Sequence, residues 1–216
     1  MTVKTFVFDA YGTLFDVHAA VRKHAGAIGP DGQRVSDIWR AKQLEYSWIR
    51  ALMGSYSDFW KLTEYALDYA LAAVPGADPA CRDQLLEAYW TLDCYTEVPV
   101  VLERLRANGA RTAILSNGSP DMLQAAVDSG GLSHLLDAVL SVDAVKTFKT
   151  SPPVYQMVLD TFDAQSRDVS FQSSNRWDIA GAHKFGFETV WVNRTGQPDE
   201  YQNYPPDRVI GDLEAL

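Results

Sequence analysis

The stretch Phe6-Val7-Phe8-Asp9-Ala10-Tyr11-Gly12-Thr13-Leu14 decides the fold: an apolar run that stops at a carboxylate and a glycine turn. A strand apolar on both faces belongs inside a parallel sheet, and such sheets bind ligands at the carboxyl ends of their strands. Asp9 therefore stands where chemistry is expected, although an aspartate after a strand also commonly caps a turn or a helix. The residue two places on is Tyr11 rather than a second aspartate.

Beyond this strand the pattern turns helical. Ser36 reads as the N-cap of a helix over Asp37 to Met53 closed by Gly54, with Ile38, Leu44, Trp48, Ile49 and Leu52 as its apolar stripe. Ser57 opens a second helix reaching Val74, and Asp78-Pro79 a third through Leu85, Leu86 and Tyr89. Strand and helix then alternate. Pro99 to Ala107 is a helix, Arg111 to Leu115 a buried strand ending at Ser116-Asn117-Gly118, and Ser119-Pro120 the start of a helix running to Gly130-Gly131. Ala138 to Val142, Val169 to Phe171 and Thr189 to Val192 read as strands, and Val154 to Phe162 and Ile179 to Phe185 as helices. The fold class is α/β, a Rossmann-like parallel-sheet core with a helical-bundle cap inserted after the first strand. The core takes residues 1–15 and 96–216, and the cap residues 16–95.

Composition sets the other bounds. With 216 residues and 47% hydrophobic content the chain buries a substantial core. A net charge of -9 argues against nucleic acid as a partner, since phosphate backbones demand clustered Lys and Arg. No apolar run approaches bilayer length and no leader segment is evident, which predicts a cytoplasmic protein with no membrane partner. Cys81 and Cys94, the two cysteines, are expected in helical pattern as reduced core residues, and the scattered His18, His24, His134 and His183 form no metal-ligand spacing.

Polar groups gather at four strand endings: Asp9 and Thr13; Ser116 and Asn117; Lys149; and Ser173, Asn175 and Asp178. These resemble a family. Asp9-Ala10-Tyr11-Gly12-Thr13-Leu14-Phe15-Asp16, Leu115-Ser116-Asn117-Gly118-Ser119, Lys149 with Tyr155 six residues later, and Ser173-Ser174-Asn175-Arg176-Trp177-Asp178 look like the haloacid dehalogenase superfamily, in its L-2-haloacid dehalogenase branch. The helix containing Trp39-Arg40-Ala41-Lys42-Gln43-Leu44 is similar to the branch's arginine-bearing cap helix. Two departures stand out, since the branch usually has glutamine where Ala41 stands and proline where Thr150 stands.

The resemblance implies a mechanism. Asp9 attacks the α-carbon of a short L-2-haloalkanoic acid, and water near Asp178 hydrolyses the resulting aspartyl ester to a D-2-hydroxy acid. Lys149 neutralises the two carboxylates, while Thr13, Tyr155, Ser173 and Asn175 position them. Lys146 is its rival three residues earlier, and the spacing to Tyr155 favours Lys149. Arg40, Asn117 and Trp177 receive the halide ion. Ser116, Lys149 and backbone N–H groups after Asp9, at Ala10 and Tyr11, meet the substrate carboxylate, with Tyr11, Leu44, Phe59 and Trp177 as the apolar wall. The family also implies a homodimer, and Tyr11 in place of a second carboxylate weakens any magnesium site, so no metal or cofactor is expected. Three alternatives remain open on the same residues. A ring-opening hydrolase of a cyclic amino acid such as azetidine-2-carboxylate would use the same nucleophile. A superfamily phosphatase would want a carboxylate where Tyr11 stands. A non-catalytic binding protein would share only the fold.

Overall fold

The computed structural model describes residues 4–24 and 28–216; positions 1–3 of the expected core and 25–27 of the expected cap lie outside them. The centre is a sheet of six parallel strands in the order β3-β2-β1-β4-β5-β6. In chain order these are β1 (Thr5–Phe8), β2 (Arg111–Ser116), β3 (Ala138–Ser141), β4 (Val169–Ser173), β5 (Glu188–Val192) and β6 (Arg208–Ile210). Strand β1 lies between β2 and β4, with Phe8 opposite Ile114 on one side and Gln172 on the other. The chain winds outward first through β2 and β3, then through β4 to β6 on the opposite side. This reversal opens a crevice at the strand carboxyl ends, the usual ligand position of a doubly wound sheet.

Strands β2 and β4 are buried along almost their whole length, which explains why they read as continuous apolar runs rather than alternating ones. Helices α5 (Val98–Ala107), α6 (Pro120–Ser129), α7 (Pro152–Phe162) and α8 (Arg176–Phe185) connect and flank them. Proline stands in the first turn of α5, α6 and α7, where its missing N–H costs nothing.

Between β1 and α5 the described chain is helical: α1 (Ala19–Lys23), α2 (Gly32–Met53), α3 (Phe59–Ala73) and α4 (Arg82–Trp90), the last preceded by a short turn at Pro79–Cys81. Helices α2 and α3 pack along each other through a polar seam inside an apolar shell. The Trp39 indole donates to the Thr63 carbonyl at 2.9 Å, and the Gln43 amide donates to the Thr63 hydroxyl at 2.9 Å. Burial leaves these groups no water, so each takes a protein partner.

Several boundaries differ from the sequence reading. Helix α2 begins at Gly32 after Asp31, and Ser36 lies within it, its hydroxyl 2.7 Å from His18 Nδ1. Helix α3 is capped by Asp58, which accepts the Lys61 N–H at 2.9 Å, rather than by Ser57. Cys81 is buried, whereas Cys94 is partly exposed beyond the helices, paired across an isolated bridge with Phe15; both are free thiols. The expected stripe on α2 is a core face only in part, with Ile38 and Leu44 half-buried. Trp48, Ile49, Leu52 and Met53 are exposed, and the helix instead buries Val35, Ser36, Trp39, Gln43 and Ser47.

Candidate active site

Asp9 continues the β1 ladder by one bond, its N–H donating to the Gln172 carbonyl at 2.9 Å, so its carboxylate emerges at the end of the central strand. The chain then turns sharply at Gly12. Its φ of 91° is a conformation that disfavours side chains, and a Cβ there would stand 3.0 Å from Ser174 Oγ. This turn brings Thr13 back against the carboxylate. The Thr13 hydroxyl donates to Asp9 Oδ2 at 3.0 Å and accepts the Ser174 N–H at 2.8 Å. The Asn175 amide donates to the same Oδ2 at 2.8 Å, and Lys149 Nζ donates to Oδ1 at 3.0 Å. Every donor aimed at Asp9 thus comes from a loop at the same edge of the sheet.

Lys149 bridges two carboxylates. Its ammonium lies 3.0 Å from Asp9 and 2.7 Å from Asp178 Oδ2, and Tyr155 donates its hydroxyl to Asp178 Oδ1 at 2.8 Å. Lys149, Tyr155 and Asp178 are all buried. Burial disfavours the Lys149 ammonium, but the charges of Asp178 and Asp9 outweigh it and hold its pKa above the usual value. Burial pushes the Asp178 carboxyl up to about 6, with Lys149 opposing the shift and Asp9 adding to it. Lys146 takes no part, as it is exposed and pairs with Asp143 at 2.7 Å.

A small cavity opens above Asp9, walled by Tyr11, Arg40, Leu44, Phe59, Ser116, Asn117 and Trp177. Its empty space is about 220 Å³. Arg40 reaches over from α2 with its guanidinium 3.4 Å from both the Tyr11 carbonyl and Asn175 Oδ1. Asn117 is fixed from behind, its Oδ1 accepting the Lys149 backbone N–H at 3.0 Å, while Ser116 Oγ accepts the Gly118 N–H at 3.1 Å. Trp177 closes the wall with Trp48 packed edge-on against it at 5.5 Å. Tyr11, Arg40 and Trp177 also line a wider outer pocket, whose empty space is about 1170 Å³.

The structure therefore gathers the cavity-lining residues expected from the sequence, and the carboxylates with their holders beneath. Two members are absent from the cavity wall, Ala10 and, as expected of a positioner, Ser173. Ala10 is fully buried and uses its carbonyl to accept the N–H groups of Leu14 and Phe15, and Ser173 lies under the site, its hydroxyl accepting the Asn175 N–H at 3.1 Å. Ala41 is exposed and lines no part of the cavity.

Other contributors went unread in the sequence. Ser174 steadies Thr13, and Tyr89 stacks on Tyr11 at 5.7 Å. Gly118 makes room for Tyr11, whose ring carbon lies 2.8 Å from where a Cβ would sit. Arg194 donates to the Thr13 carbonyl at 2.9 Å and pairs with Glu97 at 2.6 Å, tying the nucleophile loop to the end of β5. Its position two residues after β5 was the available signal.

No group of three or more His, Cys, Asp or Glu side chains suited to a metal ion occurs among the described residues. No helix there is long and apolar enough to cross a membrane.

The chain is similar in sequence and fold to known proteins. Residues 3–186 match the family model of haloacid dehalogenase-like hydrolases. The (S)-2-haloacid dehalogenase 1 of Pseudomonas sp. strain CBS-3 is 46% identical over 99% of this chain and 95% of its own length. The (S)-2-haloacid dehalogenase 4A of Burkholderia cepacia is 44% identical over 100% and 94%. Among solved structures, the L-2-haloacid dehalogenase of Xanthobacter autotrophicus with chloropropionic acid covalently bound superposes with a TM-score of 0.87 at 38% identity, covering 98% of this chain and 96% of that one. On the strength of a match spanning the whole chain, the protein belongs to the haloacid dehalogenase-like hydrolases, in the branch of the (S)-2-haloacid dehalogenases.

Proposed function

We propose that this protein hydrolyses short-chain L-2-haloalkanoic acids to D-2-hydroxy acids through an ester on Asp9. The observation that carries the reading is the buried Asp9–Lys149–Asp178 array at the floor of a small cavity whose wall includes Arg40 and Asn117. An Asp9 oxygen attacks the α-carbon from the face opposite the halogen. The carbon–halogen bond breaks with its electron pair on the halide, which leaves toward Arg40, Asn117 and the positive edge of the Trp177 ring. The substrate carboxylate takes Ser116, Lys149 and the backbone N–H groups following Asp9. Inversion belongs to this step alone. Asp178 then takes a proton from water, the hydroxide attacks the Asp9 ester carbonyl, and the bond from that carbonyl carbon to the substrate oxygen breaks, the leaving oxygen taking the proton from Asp178 to give the hydroxy acid. Thr13 and Asn175 hold Asp9 in line throughout, Tyr155 holds Asp178, and Ser173 steadies Asn175. Tyr11, Leu44, Phe59 and Trp177 keep the site dry, which strips the nucleophile of hydration.

The reaction requires no metal, because the ammonium of Lys149 does the neutralising and Tyr11 takes the place of a second carboxylate. Residues 16–95 act as a cap that supplies Arg40 to a core of residues 1–15 and 96–216. Two free cysteines fit a cytoplasmic protein, and the exposed apolar face of α2 fits a homodimer.

The test offers L- and D-2-chloropropionate separately to the purified protein with EDTA present, following chloride and product chirality. Chloride from the L form alone, with D-lactate as product, is the expected outcome, and Asp9→Asn abolishes it at a similar melting temperature. No chloride from either form overturns the reading and directs attention to ring-opening substrates.

A further inference from the structure

Gly181 lies in the middle of α8, one turn after Asp178, so both project from the same side of the helix. A glycine there costs the helix about 1 kcal/mol relative to alanine, and neither a bend nor a cap explains it. The surroundings do. A Cβ on residue 181 would stand 2.5 Å from the Tyr155 hydroxyl and 2.7 Å from both Cβ and Cγ2 of Thr150. Real Cβ atoms do not approach other atoms so closely. Tyr155 cannot yield, because its ring is wedged among Phe171, Phe185 and Phe187 with centroids 5.7 to 6.0 Å away. Thr150 is covalently next to Lys149. Three segments thus close on one bare backbone position: α7 through Tyr155, the turn that carries Lys149, and α8 itself.

We propose that Gly181 is a positioning residue, whose missing side chain lets the Tyr155 hydroxyl and the Lys149 ammonium meet on the two oxygens of Asp178. Its effect on turnover rests on the dehalogenase reading; its effect on Asp178 does not. Any side chain at 181 pushes the hydroxyl or the Lys149 turn outward, and both movements remove a partner of the Asp178 carboxylate. The groups facing that carboxylate are Lys149, Tyr155 and Asp9, of which the first two favour its ionised form and the third opposes it.

The test is Gly181→Ala, with the Asp178 carboxyl titrated by carbon-13 NMR in aspartate-labelled protein and its signal identified by loss in Asp178→Asn. The midpoint is expected to rise by roughly half to one pH unit. Breakdown of the Asp9 ester slows roughly tenfold, read in single turnovers as a longer-lived ester. A second variant, Gly181→Ala with Thr150→Gly, relieves the clash with Thr150 and leaves that with the hydroxyl; its midpoint remains raised. An unchanged midpoint in a folded variant, whatever its melting temperature, overturns the proposal. Failure of both variants to fold overturns it too, by making Gly181 a residue of the fold alone. If wild-type protein releases no chloride, the dehalogenase reading falls while the midpoint comparison still decides the role of Gly181.

Discussion

A general base works only when it is ionised, and burial pushes the Asp178 carboxyl up to about 6. Turnover is therefore expected to decline as pH falls through that value, since protonated Asp178 cannot take a proton from water. A pH profile of kcat shows this acid limb, and a limb near the ordinary carboxylate value of about 4 would remove Asp178 from the role. Lys149→Met gives a second residue-scale prediction. It leaves Asp9 and Asp178 facing each other without the ammonium that lies within 3.0 Å of both. Breaking such a pair costs roughly 3–5 kcal/mol. A shared proton replaces the lost charge at low pH, so the melting-temperature gap between wild type and variant is expected to be wider at pH 8 than at pH 5. These charged positions were legible because each sits at a strand end or keeps a fixed spacing along the chain. Ser174, Gly118 and Gly181 were not, since their importance lies in close approaches across segments distant in sequence: a Cβ on Gly118 would meet Tyr11 at 2.8 Å.

At the scale of elements, strands β1, β2 and β4 were readable because full burial demands unbroken apolar runs. Strand β6, three residues at the sheet edge with two of them exposed, lacks that demand and carried no pattern. Helix α2 misled for a related reason. Its buried side includes Ser36, Gln43 and Ser47, polar residues that pass burial only through specific partners such as Thr63, whereas the last two turns of its apolar stripe, from Trp48 to Leu52, face outward. Periodicity finds a helix face without saying what covers it. Helix α3 shows the same limit at its start, where two adjacent residues, Ser57 and Asp58, both suit the cap. The structure selects Asp58, whose carboxylate accepts the Lys61 N–H at 2.9 Å. Asp58→Ala is expected to cost about 1 kcal/mol, seen as a lower urea midpoint with unchanged slope, whereas Ser57→Ala leaves the midpoint near wild type.

At the scale of the molecule, the outward stripe of α2 becomes the main unexplained surface. Leu52 is 84% exposed and Met53 69%, and Ile49 with Tyr65 of α3 extends the same apolar region. A soluble chain seldom leaves such a contiguous patch open to water, because each Å² covered recovers about 25 cal/mol. A second copy is the simplest cover, since a two-fold axis matches the patch to itself. Light scattering on the wild-type protein is therefore expected to give twice the chain mass of 24.0 kDa. Leu52→Glu would bury a carboxylate against its symmetry mate, a cost that neither charge can escape by pairing. The variant is expected to run as a monomer with its circular dichroism intact, and to re-form dimers as pH falls below the glutamate range and the new carboxyls are neutralised. A wild-type protein that scatters as a monomer at micromolar concentration would show instead that α2 presents this face to solvent.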